Sequence, residues 1–406
     1  MTNAHTILAE NRACNPRCGV CHYKNFDYPA QLQLKQNWAR KQLHAWHDVL
    51  QSIRPAPPEE RMAYRAKSWM RSKVQDGALS FGMERSIKIE GRWEKELISW
   101  DTCPLHIGAI QEMIPKLRKL LFEKAPQFIA DNLVGIWLGS PHLVLVARGP
   151  NTEELRKIEW SEILVAPFDY VWFHANSQVG RKIFGHHPIE LLAGPSDATD
   201  IHPIRAFRQV AQTLLVEART LALEHLLKTC PSLILDLYCG TGDLSLLLPP
   251  ETGWIGIEIS QDAIRYANSL RNQDHTSTHI AYAGTVEDRL RDPQVLAKIR
   301  LPYTLYLNPP RSGMSLKARE RLLNLISEKP PNSIIYLSCS ASSLARDLEK
   351  FDKAGYKIEL LQPYDFFPQT EHFETLAVLR YSINGSLGSG AVDPLASYPI
   401  LSVLNQ

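Results

Sequence analysis

From residue 233 onward, short apolar runs alternate with amphipathic stretches of helical length. Leu233 to Leu237, Trp254 to Ile259, Ile280 to Ala283, Tyr303 to Leu307 and Ser333 to Ser338 are runs of four to six mostly apolar residues bounded by turn residues. Such short continuous runs predict strands buried on both faces. Residues 261–270, residues 315–327 and the stretch SSLARDLEKF place apolar side chains at helical spacing, and the Leu-rich run after Asp243 is also of helical length. Two last strands are predicted at 357–361 and 375–381. Strands alternating with helices specify the α/β class and a doubly wound, mostly parallel sheet, whose ligands sit at the carboxyl ends of the strands.

The first half has a different pattern. Gln31 to Leu50 reads as an amphipathic helix ended by Pro55, Pro57 and Pro58. Residues 61–74 then switch to a period of two: Arg61, Arg65, Lys67, Trp69, Arg71 and Lys73 share one parity, and Met62, Tyr64, Ala66, Met70 and Val74 share the other. A strand with this pattern buries the second set and shows a basic stripe interrupted by an aromatic ring. The stripe suits a phosphate backbone with a base to stack, and equally an ordinary solvated face. A helix at 105–125, strands within 133–148 and 155–173, and a strand–turn–strand over FHANSQVGRKIFG and LLAGP complete a mixed central region. A long helix within 201–227 leads into the glycine loop that follows. The expected division is 1–105, 106–205 (central α+β), 206–381 (a Rossmann-like domain) and a loose Gly/Ser-rich tail at 382–406.

Composition narrows the class only slightly. A chain of 406 residues with 44% hydrophobic content accommodates two or three ordinary globular domains. A basic start followed by an apolar leader is absent, and every apolar run is shorter than the ~20 residues of a membrane span. The expectation is a cytoplasmic protein with no membrane association and no evident obligate protein partner. Residues 1–101 hold 16 Lys/Arg against 11 Asp/Glu, so the net +2 of the chain is a mildly basic amino-terminal part and a mildly acidic remainder. That asymmetry fits nucleic-acid contact and is common in enzymes generally.

Three of the seven cysteines, Cys14, Cys18 and Cys21, crowd into one loop, and Cys103 follows in DTCPLH. Exposed thiols oxidise, so clustering of this kind points to a bound group. Three close thiolates plus one distant one supply the ligands of a tetrahedral zinc or a cubane iron–sulfur cluster; the three-plus-one layout leans to iron–sulfur, in a structural role.

Chemistry concentrates at the ends of the C-terminal strands. The first run ends in Cys239-Gly240-Thr241-Gly242-Asp243, and the second carries Glu258 near its end, placed to accept hydrogen bonds from ribose hydroxyls. The loop has neither a third glycine nor a P-loop lysine, so it suits S-adenosyl-L-methionine better than NAD or ATP. Asn308-Pro309-Pro310-Arg311 and Ser338-Cys339-Ser340 follow two further strands, and His372-Phe373-Glu374 precedes the last. Cys339 stands before a helix whose amino-terminal amides favour a thiolate, the form a nucleophile needs, although a strand-end cysteine is more often structural. Glu374 is placed to take a proton from carbon, or simply to be solvated or ion-paired. Cys239 and Cys230 are expected to be packing residues.

Together these motifs resemble the RNA uracil-C5 methyltransferases, S-adenosylmethionine-dependent enzymes that make 5-methyluridine in rRNA and tRNA. LDLYCGTGDLSL is similar to the family's cofactor loop, GIEIS to its ribose-binding segment, LNPPRSG to its D/N-P-P-R-x-G signature, YLSCSASSLARDL to its nucleophile motif and FFPQTEHFE to its base motif, while RAFRQVAQ resembles its F-x-Q-x-N segment. The resemblance implies that Cys339 is the nucleophile and Glu374 the general base. It further implies that Gln209, Tyr238, Gly240, Asp243, Glu258 and Asn308 contact the cofactor, and that Arg311 lines the uracil pocket. Cys14, Cys18, Cys21 and Cys103 resemble the [4Fe-4S] site of the rRNA-modifying branch, which implies 23S rRNA as the RNA partner, and Cys14 comes too early to leave room for the extra amino-terminal barrel of some members. The chain departs from the family pattern at Asn308, Ala211, Ser340-Ala341 and Ser343. Other readings are a tRNA enzyme, an amino-group or cytosine-C5 methyltransferase, which the N-P-P-R motif and its lack of a cysteine disfavour, and a non-catalytic iron–sulfur RNA-binding protein.

Overall fold

The computed structural model describes residues 14–15, 17–75, 77–100, 103–149, 152–175, 189–195, 212–272 and 279–382. The chain divides into two compact units, Met1–Asp27 with Glu59–Arg205 and Tyr28–Pro58 with Ala206–Gln406. The stretch Tyr28–Pro58 therefore belongs with the C-terminal part of the chain. It contains helix α1 (Tyr28–Gln42), which stops earlier than its apolar pattern suggests. Leu43 is buried and turns the chain into a 3₁₀ segment, His44–Val49, with Trp46 out of helical geometry.

The first unit is built on one seven-stranded sheet. Its strands are β1 (Lys67–Gln75), β2 (Ala78–Ile89), β3 (Arg92–Ser99), β4 (Leu133–Gly139), β5 (His142–Ala147), β6 (Tyr170–Ala175) and β7 (Ile189–Ala193), in the order β3-β2-β1-β4-β5-β6-β7. Neighbours are antiparallel apart from β5 and β6. Helix α2 (Gly108–Lys124) buries Ile110, Met113, Ile114, Leu117 and Leu121, residues at 3.6-residue spacing, against Met70, Phe81, Ile136 and Leu145 of the sheet.

Two details differ from the period-two reading. The strand begins only at Lys67, and although Tyr64 and Met70 are buried, Val74 is 43% exposed. Pairing of β1 with β4 ends at Arg71, so the far end of β1 leaves that neighbour and its alternation loses its meaning. Residues 155–162, expected to be extended, form two 3₁₀ turns, Leu155–Lys157 and Trp160–Glu162. Buried Leu155, Ile158, Trp160 and Ile163 fold back on one another there, and the Trp160 indole donates to the Leu155 carbonyl at 3.2 Å.

The second unit is the doubly wound sheet. Helix α3 (Gln212–Leu227) leads into β8 (Leu233–Leu237). Then follow β9 (Gly253–Glu258), α4 (Gln261–Asn272), β10 (His279–Ala283), β11 (Tyr303–Leu307), α5 (Leu316–Glu328), β12 (Ser333–Ser338), α6 (Ala341–Lys353), β13 (Tyr356–Tyr364) and β14 (Glu374–Tyr381). The strand order is β10-β9-β8-β11-β12-β14-β13. The first five are parallel, and β14 runs antiparallel to both its neighbours. On one face Leu322, Leu325 and Ile326 of α5 and Leu344, Leu348 and Phe351 of α6 pack against the sheet, joined by Ala39 and Leu43. On the other lie Leu214, Ala218, Ala222 and Leu226 of α3 and Ile264 and Ala267 of α4, joined by Tyr28 and Ala56. The chain after the 3₁₀ turn pairs with the outer edge of β13: Gln51 N–H donates to Leu361 O at 2.8 Å and Arg54 N–H to Pro363 O at 2.9 Å, which covers an otherwise open strand edge.

The Leu-rich run after the glycine loop is not a helix of useful length. It forms one 3₁₀ stretch, Asp243–Leu247, because Pro249 and Pro250 follow at once and bar continuation. Cys230, expected in the core, is exposed at a positive φ of 44° in the turn after α3. No helix among the described residues is long and apolar enough to cross a membrane.

Candidate active site

The carboxyl ends of β8, β9, β10, β11 and β12 carry the candidate chemistry. At the end of β8 the chain reverses at Tyr238, with φ of 64°, and the N–H groups of Tyr238 and Cys239 both donate to Ile257 O of β9, at 2.8 and 3.1 Å. Gly240 takes a φ of 57°, which a side chain would strain, and a Cβ there would meet nothing within 4 Å. The loop therefore presents backbone to open space. Glu258, at the tip of β9, pins it from beside: one carboxylate oxygen accepts from Gly240 N–H at 3.3 Å and the other from Ser260 N–H at 3.0 Å. Asp243 is held by the Thr241 hydroxyl at 2.6 Å and by Arg219 at 3.1 Å. Burial and the nearby Glu287, Asp347 and Glu258 push the Tyr238 phenol up, so it stays a neutral hydrogen-bonding group. Asn308 N–H donates to Leu237 O at 3.3 Å and ties the Asn-Pro-Pro-Arg turn to the start of the glycine loop. Gln209 lies outside the described residues.

Cys339 and Glu374 are brought together by strand pairing. Ser338 of β12 is the partner of Thr375 of β14, so the residue after one faces the residue before the other across the end of an antiparallel ladder. Glu374 is 2% exposed, and Cys339 is half-buried. Burial pushes the Cys339 thiol up to about 11; the Glu374 charge adds to this, and Arg311, which is hydrogen-bonded to it, pulls the other way. The expectation that the following helix would favour the thiolate is corrected here. Ser340 is the N-cap, its hydroxyl accepting from Ser343 N–H at 3.3 Å, and burial beside a carboxylate outweighs the helix end. In the free protein Cys339 rests as a thiol.

Arg311 is exposed on the turn after β11, 3.4 Å from the His372 ring and within reach of the Cys339 sulfur. Residues within and beside the quoted motifs, to which motif reading gave no role, hold that turn. The Ser343 hydroxyl donates to Arg311 O at 2.9 Å, and Arg346 donates to Ser312 O at 2.8 Å. Gly313, at a φ of 75°, lies so close to α6 that a Cβ would come within 2.6 Å of Arg346. Beneath it the fully buried Asp347 accepts from the Tyr336 hydroxyl at 2.8 Å and Met314 N–H at 3.4 Å. Arg319 approaches it to 3.0 Å as an ion pair, without the alignment of a hydrogen bond. Another group not singled out beforehand is the tip of β10: Gly284 N–H donates to Glu258 O at 2.8 Å, and Arg289 closes on Ala283 O. The only sequence signal there is a strand running into Gly-Thr.

The four cysteines of the amino-terminal region all lie in the first unit. Burial, then the charges of Cys103, Cys14 and Cys18, push the Cys21 thiol up to about 12, while Arg65 pulls it down. Burial likewise raises the thiols of Cys14 and Cys103. The four sulfurs thus share one electrostatic neighbourhood, and the donor set, four thiols beside a cation, is chemically that of a thiolate-bound metal. Among the described residues no three His, Cys, Asp or Glu side chains converge in the geometry of a metal site. Arg65 serves this neighbourhood rather than the outer stripe: it precedes β1, its backbone N–H donates to Leu105 O at 2.7 Å, and its guanidinium lies over the Trp100 ring.

The family model described as tRNA (uracil-5-)-methyltransferase matches residues 205–381, the stretch that holds every one of these strand ends. An uncharacterized RNA methyltransferase of Enterococcus faecalis is 29% identical over 392 residues, which cover 91% of this chain and 82% of that protein. Another, from Bacillus cereus, is 26% identical over 399 residues, covering 90% and 81%. The crystal structure of Pyrococcus abyssi tRNA (uracil-54, C5)-methyltransferase, solved with S-adenosyl-L-homocysteine, has the same fold, with a TM-score of 0.63 at 18% identity over 90% of this chain and 86% of that one. By these matches residues 205–381, with the strand ends they span, carry the pattern of the tRNA (uracil-5-)-methyltransferase family, and about nine-tenths of the chain is similar to RNA methyltransferases.

Proposed function

We propose that the chain methylates C5 of one uridine in 23S rRNA, using S-adenosyl-L-methionine as methyl donor and Cys339 as a covalent catalyst. The observation that carries this reading is the Cys339 thiol facing the Glu374 carboxylate at the ligand-binding end of the sheet, with the Arg311 guanidinium at the sulfur. Uracil C5 is a weak nucleophile until something adds at C6. The Cys339 thiol loses its proton to solvent, the thiolate adds at C6, the C5–C6 π electrons pass into an enolate, and C5 turns electron-rich. When bound, S-adenosylmethionine supplies an electrophilic methyl group. Glu374 then takes the C5 proton, the C5–H electrons form the C5–C6 double bond, and the C6–S bond breaks to release Cys339 as thiolate. Arg311 offsets negative charge at the sulfur or on the ring. To reach this crevice the uridine leaves its stack.

Glu258 fits a ribose, and the open space before Gly240 fits the rest of a phosphate-free nucleoside ligand. Tyr238, Asp243 and Asn308 are assigned to the same ligand, with Gln209 by motif alone. Cys14, Cys18, Cys21 and Cys103 are assigned to a [4Fe-4S] cluster of structural role, with zinc as the alternative. The basic stripe is assigned to RNA. Trp69 of β1 pairs with Trp137 of β4, Lys67 lies 5.3 Å from the Trp137 ring and Arg71 lies 5.5 Å from the Trp69 ring, an arrangement that suits bases and phosphates together.

The test is incubation of the protein and a Cys339→Ala variant with labelled S-adenosylmethionine and unmodified transcripts of 23S rRNA and tRNA, followed by digestion to nucleosides. Labelled 5-methyluridine in the rRNA from the wild type alone is the expected result. Label in tRNA transfers the substrate to that class, and label made equally by the variant overturns the mechanism. Anaerobic purification should give brown protein with stoichiometric iron and sulfide; colourless protein holding zinc overturns the cluster assignment.

A further inference from the structure

Helix α1 is separated from the proposed base by more than 300 residues of chain, yet it holds the segment that leads into it. Lys35 is fully buried and paired with the equally buried Asp365, and its ammonium also donates to Phe367 O at 3.0 Å. The Tyr28 hydroxyl donates to the other Asp365 oxygen at 2.8 Å and accepts from Ala56 N–H at 2.7 Å. One turn along α1, the Gln31 amide makes a two-point contact: it donates to the Gln369 side chain at 3.0 Å and accepts from Gln369 N–H at 2.9 Å. Gln369 sits at a φ of 69°, a conformation a non-glycine residue keeps only where its surroundings impose it. The segment then closes on itself, with the Thr370 hydroxyl donating to Phe367 O at 2.8 Å and accepting from His372 N–H at 3.2 Å. Two residues later comes Glu374.

This is an expensive way to attach a helix. Buried charges lose hydration, and replacing such a pair by apolar side chains of like volume is often neutral or stabilising. What an apolar contact does not do is fix the rotation of a loop to a fraction of an ångström, which directed bonds to Asp365, Phe367 O and Gln369 do. Removal of a proton from carbon needs that accuracy, because the base must meet C5 in one orientation.

We propose that Tyr28, Gln31 and Lys35 of α1 are positioning residues for Glu374, holding residues 365–373 so that the carboxylate is aimed at the C5 proton. This inference rests on the mechanism proposed above. The bland rival is a staple that only keeps the unit folded.

The two are separated by splitting the reaction at the proton. In RNA made with 5-fluorouridine, C5 carries fluorine, so addition of Cys339 and methylation of C5 proceed and elimination stops. The covalent protein–RNA complex then reports every step before proton removal, and turnover on the uridine RNA reports the whole. The variants are Gln31→Leu and the double change Lys35→Met with Asp365→Asn, which removes both buried charges together and leaves neither unpaired. They are assayed with whichever transcript, 23S rRNA or tRNA, the wild type methylates. The expected result is a complex formed with fluorinated RNA at about the wild-type rate, turnover on uridine RNA lower by about a hundredfold, and a new isotope effect with deuterium at C5. Turnover at the wild-type level, or turnover and complex formation falling in parallel, overturns the positioning role. Failure of the wild type itself to form the complex brings down the underlying mechanism, a distinct outcome.

Discussion

Glu374 faces Cys339 because Thr375 and Ser338 are register partners on antiparallel β14 and β12. Sheet register thus sets the two residues opposite each other, and the anchored segment 365–373 is proposed to set the aim of the carboxylate. A carboxylate so close to a thiol raises the thiol, and in the proposed mechanism the same carboxylate takes the C5 proton after C5 has been methylated.

Replacing Glu374 by Gln should leave addition and methyl transfer intact and block elimination. On ordinary uridine RNA the variant should accumulate a denaturation-resistant protein–RNA complex, while turnover falls by about 10²–10⁴-fold, the usual contribution of a positioned base. Gel electrophoresis under denaturing conditions checks this; loss of turnover without a retained complex would assign Glu374 to an earlier step.

The raised thiol makes Cys339 reactivity rise with pH. Below about 11 only a small fraction is thiolate, so alkylation by iodoacetamide, followed by mass spectrometry of the Cys339 peptide, should accelerate about tenfold per unit from neutral pH to 9. Glu374→Gln removes a negative neighbour, lowers the thiol and speeds alkylation at a given pH. Arg311→Met has the opposite sign, since it removes the cation that favours the thiolate.

Glu258→Ala removes the acceptor for the Gly240 and Ser260 amides and the proposed ribose contact together. Hydrogen bonds to a charged group contribute about 1.5–3 kcal/mol each, so the dissociation constant for S-adenosylmethionine should rise by at least about tenfold in calorimetry. An unchanged constant would place the nucleoside elsewhere.

Asp347→Ala leaves Arg319 buried without its partner and removes the acceptor for the Tyr336 hydroxyl and Met314 N–H. Breaking a buried pair from one side costs about 3–5 kcal/mol, so denaturant unfolding should move to markedly lower midpoints. Because the same carboxylate underlies the turn that carries Arg311, the variant should also form less of the covalent complex.

Much of the doubly wound unit was legible because its strands are buried on both faces and carry no competing pattern: Tyr303–Leu307 and Ser333–Ser338 coincide with the apolar runs to the residue. Harder to see were features set by tertiary partners. The Leu-rich run after Asp243 has helical composition but two prolines cut it short, and Val74 follows the alternation of β1 while its neighbouring strand has ended. The thiol of Cys339 was read from its own helix end, whereas Glu374, remote in sequence, decides its state. Nothing local in Gln31 or Lys35 announces a partner near residue 369; each reads as an ordinary polar position of a helix.

The attachment of α1 to residues 365–369 also sets an order of assembly. On the ribosome the helix emerges more than 300 residues before its partners, with Glu59–Arg205 of the first unit made in between. A lysine destined for the interior must therefore stay hydrated while more than 300 residues are added, and the second unit can close only when β13 and the segment after it have been released. Truncation after α6 would leave a chain with the proposed nucleophile Cys339 made, the proposed base Glu374 missing and α1 with nothing to bind.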